Sequence, residues 1–148
     1  LTIVGVGNPF RGDDAAGLVA ARRLRGALPG ARVLEQEADA AALLDSWKGE
    51  DAVIVIDAVS SGAPPGTVHR FEAHERPVPS RLLRGSTHAL GVADAIELAR
   101  VLGWLPRRVV VYGIEGGSFA PGEGLSPEVG RAVEEIVGRV VAEARRDA

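Results

Sequence analysis

Three short apolar runs, rich in β-branched residues, punctuate the chain: LTIVGV at 1–6, DAVIVID at 51–57 and RRVVVYGI at 107–114. Their interiors are almost continuously apolar, as expected of strands buried on both faces in a parallel sheet. Weaker strands are expected at 31–36 (ARVLEQ) and 66–73 (GTVHRFEA), the second alternating as an edge strand does. Between them, Leu18, Ala21, Leu24 and Leu28 recur at helical spacing, with Gly30 after Pro29 as a stop. Val92, Ala95, Ile96, Ala99 and Leu102 repeat the pattern up to Gly103. A last helix has Ser126 as N-cap, Pro127 at its first position and Glu128 in its first turn. Its apolar stripe is Val129, Val133, Ile136, Val137, Val140 and Ala144. Alternating strands and helices predict an α/β three-layer sandwich, a mostly parallel twisted sheet with helices on both faces and the three strong strands in its centre. The 148 residues suit a single domain, 1–148.

This architecture gathers chemistry at one edge. In right-handed βαβ units, strand C-termini and helix N-termini share the edge where ligands bind. Asp13 and Asp14 open the first helix, Asp57 ends the central strand, and His88 starts the helix after STHALG. Far apart in sequence, they are expected to converge.

The first loop, GVGNPFRGDD at 5–14, superficially resembles a dinucleotide fingerprint. Its glycines are spaced G-x-G-x-x-x-x-G, however, and Phe10 stands where the third glycine belongs. Two aspartates would also meet a pyrophosphate at the helix N-terminus, so electrostatics opposes nucleotide binding. One acid at a helix start is ordinarily a cap. Two in succession allow one to cap and one to act elsewhere. An acid directly after VIVI loses its hydration unless something pairs with it. A histidine at a helix N-terminus is kept neutral, the form that binds metal. Two carboxylates and an imidazole make a plausible open site for a transition metal.

Composition removes other classes. There is no cysteine, so disulfides, thiolate metal sites and cysteine nucleophiles are excluded. A net charge of −3, from 17 Lys+Arg against 20 Asp+Glu, gives no reason to expect nucleic acid or an acidic membrane as partner. No apolar run approaches the roughly 20 residues of a membrane span. The expected location is the cytoplasm.

The motifs together resemble the hydrogenase maturation endopeptidases, which clip a C-terminal tail from the large subunit of nickel–iron hydrogenases. GVGNPFRGDDAAGL (5–18), VIDAV (55–59), STHALGVADAIELA (86–99) and GIEGGSFAPGEGLSPEV (113–129) follow the order of that family's blocks across nearly the whole chain. The resemblance implies that Asp14, Asp57 and His88 are catalytic and contact nickel. Asn8, Asp13, Asp94 and Glu115 would support this triad or touch substrate. Asp13 is expected to cap or brace the loop, a role in which Asn would substitute well. Asp94 would orient His88 or its helix. The family pattern has Pro where this chain has Gly116, and often Gly where it has Ala15. His69 and His74 match no family position and are expected as edge-strand and loop surface residues.

The implied partner is the hydrogenase large subunit precursor, cut by a monomeric enzyme. Nickel would arrive with that precursor, and another divalent cation could occupy the site in isolation. No serine or cysteine is placed with a base, which leaves metal-assisted hydrolysis as the default chemistry. Two alternatives stand beside the peptidase: a non-catalytic nickel-binding or delivery protein, and a nucleotide-binding α/β enzyme.

Overall fold

The computed structural model describes residues 1–79 and 91–146. His88 lies outside the described residues. The five strands are β1 (Thr2–Val6), β2 (Arg32–Gln36), β3 (Ala52–Val59), β4 (Val68–Glu72) and β5 (Arg108–Glu115). They form one sheet in the order β2-β1-β3-β5-β4, parallel except for β4, which runs antiparallel to β5. The three strong apolar runs are therefore the interior strands, and the two weaker ones are the edges.

Alternation along β3 feeds two separate cores. Val53, Val55 and Val59 join one apolar cluster, and Ile54, Ile56 and Ala58 the other. The second cluster is covered by α1 (Ala16–Ala27) and α4 (Pro127–Arg146). The first is covered by α2 (Ala40–Trp47) and α3 (Val92–Leu102). This is the three-layer sandwich expected. Each fully buried Val, Leu or Ile in these layers contributes about 1.5–3 kcal/mol. α2 is an addition to the sequence reading. It is capped by Asp39, whose Oδ1 accepts the Ala41 and Ala42 amides at 2.9 and 3.4 Å, and it buries Leu43, Leu44 and Trp47.

Two boundaries move in ways that matter for the site. β3 continues to Val59, so Asp57 sits inside the strand's last turns of pleat and not at its end. Gly12–Ala15 forms a separate 3₁₀ turn ahead of α1, so Asp13 and Asp14 precede the helix and do not cap it. The N-cap of α1 is Ala15, with no side-chain cap bond.

Candidate active site at the carboxyl edge of the sheet

The first loop is built by its own polar side chains. Asn8 Oδ1 accepts the Phe10 amide at 2.9 Å, closing an Asx turn. The Asn8 amide donates to Asp14 Oδ2 at 3.0 Å. Asn8 therefore sets the loop and holds Asp14. The close packing beneath requires glycine at 17. A Cβ there would lie 2.3 Å from the Ile56 carbonyl oxygen and 2.5 Å from that of Val6. The absence of a side chain lets α1 press onto β1 and β3 and carry the 3₁₀ turn over the sheet edge.

The same hydrogen bonds rule against a phosphate. Gly7, Phe10, Arg11, Gly12, Asp13 and Asp14 each donate their amide to an acceptor within the protein, as Asn8 does to Asp14, and Pro9 has none. A phosphate loop needs free N–H groups. This loop has spent them on its own fold, so the nucleotide-binding alternative is set aside.

Asp13 and Asp14 are both 1% exposed but serve different partners. Asp13 Oδ2 accepts the amides of Gly117 at 2.7 Å and Ser118 at 3.0 Å, and the Ser126 hydroxyl at 2.8 Å. Its Oδ1 accepts the Ser126 amide at 2.7 Å. Burial alone would raise the Asp13 pKa, but the bonds from Ser126, Gly117 and Ser118 together outweigh it and hold the carboxyl below its ordinary value. Asp13 thus ties the first loop to the 116–126 loop and the start of α4. Ser126 still precedes α4, its carbonyl accepting the Gly130 amide, while its hydroxyl serves Asp13.

Asp57 is the anomaly of the molecule. It is fully buried, and neither carboxylate oxygen has a hydrogen-bond partner among the described residues. Its pKa is raised well above the usual carboxylate range, first by burial and second by the charge of Asp14 nearby. The Ala58 amide pulls the other way but falls short of hydrogen-bond geometry. The structure therefore brings the carboxylates of Asp14 and Asp57 into electrostatic contact. Among the described residues no group of three or more His, Asp or Glu is arranged to hold a metal ion; His88 is not among them. Asp94 is described: its Oδ2 accepts the Gly91 amide at 3.2 Å, so it secures the start of α3, the helix that follows His88.

Glu115 is 1% exposed and well satisfied. It accepts the Ser61 amide at 3.1 and 3.2 Å, the Ser61 hydroxyl, and a contact from His69 Nε2 at 3.1 Å. It binds the loop after β3 to the edge strand, while Gly116 leaves room for the Phe119 ring, which a Cβ would meet at 2.4 Å. His69 lies on the edge strand and His74 in the turn after it, as expected, but both are half-buried and partnered. His69 pairs with Glu115, and His74 Nδ1 accepts the Val109 amide at 3.1 Å. The pairing register supplies the reason: Gly113 of β5 faces Asp57 on one side and His69 on the other. Only sheet order, which no local pattern encodes, puts His69 beside the acid end of the site.

A cavity of about 480 Å³ lies at the opposite edge, against Leu1, Leu28, Ala52 and Arg108, remote from these acids. It is mainly apolar and offers no comparable constellation.

Known proteins point the same way. Residues 21–143 match the family model described as HycI, hydrogenase maturation protease. The hydrogenase 2 maturation protease of Escherichia coli (strain K12) is 31% identical over 150 residues, covering 98% of this chain and 90% of that protein. The hydrogenase expression/formation protein HupD of Thiocapsa roseopersicina is 29% identical over 159 residues, covering 99% and 72%. The structure of the E. coli hydrogenase maturating endopeptidase HybD superposes with a TM-score of 0.78 at 26% identity, covering 99% of this chain and 93% of that one. A fold with two buried acids at its carboxyl edge, a loop with no amides left for phosphate, and a family match across most of its length place this chain in the hydrogenase maturation protease family.

Proposed function

We propose that the protein removes the C-terminal tail of a nickel-loaded hydrogenase large subunit precursor, with Asp14, Asp57 and His88 contacting the nickel that the precursor carries. The observation that supports this most is Asp57: fully buried, beside Asp14, with both oxygens unpartnered among the described residues. An ionised carboxylate in that position costs several kcal/mol unless a positive charge offsets it. A cation between the two acids would do so, and carboxylate with imidazole suits a borderline divalent ion such as nickel. Another divalent cation could take the same place in the isolated protein.

When present, such a cation polarises a peptide carbonyl and strengthens a nearby water as nucleophile. The protein's own groups hold and orient. Asp14 and Asp57 supply the anionic pair, Asn8 fixes Asp14, and Asp13 locks the two loops that frame the pair. Glu115 holds Ser61 by its amide and its hydroxyl, which fixes the loop after β3. In the metal-assisted hydrolysis proposed here, water would add to the scissile carbonyl carbon, the C–N bond would break, and the departing tail would take up a proton as its new amine.

The proposal extends to a monomer acting in the cytoplasm, for which the cysteine-free composition is suited. Among the described residues no helix is long and apolar enough to cross a membrane. The test compares wild type with Asp57→Asn on nickel-loaded precursor, following tail release by mass. Wild type should release the tail and Asp57→Asn should not, while its melting temperature does not fall. Nickel binding by wild type with the precursor left uncut would instead identify a delivery protein.

A further inference from the structure

We infer that Phe10 is a substrate-docking residue, seating an apolar side chain of the precursor segment next to the cleaved bond; this rests on the endopeptidase reading above. Phe10 is 65% exposed. The other large apolar side chains exposed among the described residues are Leu1 at the start of β1, and Leu98, Val101, Leu102 and Trp104 along the later part of α3 and the turn beyond it. These lie toward the amino edge of the sheet. At the carboxyl edge, where Asp14 and Asp57 meet, Phe10 stands alone among the described residues as a large exposed apolar group.

Its exposure is not the result of a loose loop. The Phe10 amide donates to Asn8 Oδ1 at 2.9 Å, and its carbonyl accepts the Gly122 amide at 2.8 Å. Pro9 restricts the backbone just before it. Just after it, Arg11 forms a bridge with Gly122, and the Gly12 amide donates to the Gly122 carbonyl at 2.9 Å. Asp13 then bolts the same two loops together. The phenyl ring is thus held out into solvent by a backbone fixed on both sides, the preorganised state that makes an aromatic group an effective anchor.

Asn8 connects this anchor to the acids. Its side chain accepts the Phe10 amide and its own amide donates to Asp14 Oδ2, so one residue holds both the anchor's backbone and the acid. The ring has no hydrogen-bonding group of its own, and the partner it fits is an aliphatic or aromatic side chain.

The experiment uses Phe10→Ala, Phe10→Leu and Val101→Ala, the last removing an 83% exposed apolar side chain on α3. For each, the Kd for nickel-loaded precursor is measured by calorimetry, KM and kcat by tail release, and stability by melting. Phe10→Ala should weaken Kd and raise KM by about tenfold, with kcat within about twofold. Phe10→Leu should recover most of the loss, Val101→Ala should behave as wild type, and all should melt alike. Unchanged Kd in Phe10→Ala, equal weakening in Val101→Ala, or a large fall in melting temperature would overturn the inference. So would a wild-type dimer that dissociates in Phe10→Ala, which would make the ring a self-association contact. Wild type that binds precursor without cutting it would sink the endopeptidase reading, and the Kd comparison would still decide Phe10.

Discussion

The carboxylate of Asp13 grips Ser126 twice, taking its amide at 2.7 Å and its hydroxyl at 2.8 Å across 113 residues of sequence. With the Gly117 and Ser118 amides, that makes four donors on one buried acid. A helix cap would tolerate Asn, but this arrangement does not. Even with its oxygen at the Oδ2 position, an amide at position 13 would turn its NH₂ toward the Ser126 amide N–H, which is itself a donor. Asp13→Asn should therefore destabilise the fold by about 2 kcal/mol, because the Ser126 amide is left unpaired in a buried place and the other three bonds lose their charge. Asp14→Asn keeps an oxygen for the Asn8 amide and should melt within a few degrees of wild type, yet lose cleavage. Thermal unfolding of the two variants separates the roles; an Asp13→Asn variant as stable as wild type would refute the brace.

The same acid sets a pH limit. Its folded pKa is depressed, so its contribution is fully present above the unfolded value of about 3.9 and is lost as pH falls through the folded value. Wild-type stability should drop in that acid range more steeply than that of Asp13→Asn, and the two curves should converge there. Denaturant unfolding as a function of pH provides the check. Parallel curves down to the lowest pH would contradict it.

Gly17→Ala tests the packing that carries the 3₁₀ turn. The added methyl would lie 2.3 and 2.5 Å from two backbone oxygens of interior strands, and neither can retreat as a flexible side chain could. Overpacking of this kind should cost about 3 kcal/mol, on the order of 10 °C in melting temperature for a domain this size. Gly26→Ala is the control, since a Cβ there meets nothing within 4 Å. Equal melting of the two variants would show that α1 has room to move.

What could be read from the sequence depended on how local the signal was. β1, β3 and β5 announce themselves by continuous apolar runs, and α3 by its stripe and by Gly103, which adopts a left-handed φ of 74°. α2 escaped because AAALLDSW is short and offers few polar positions to define a face. Asp14 and Asp57 were legible as acids at the ligand edge, since topology alone puts them there. The partners of Asp13, Glu115 and His69 were not. Each is set by loop closure or strand register, and Asp13 reaches a residue 113 positions away. His88 was legible only through its motif and lies outside the described residues.

We propose that the metal in the substrate gates cleavage, through Asp14 and Asp57. The most direct measurement incubates the protein with the large subunit precursor in nickel-loaded and nickel-free forms and weighs the products. Loss of the C-terminal tail from the loaded precursor, with the nickel-free form left intact, is the predicted result. Equal cutting of both forms, or no cutting of the loaded one, would contradict the account.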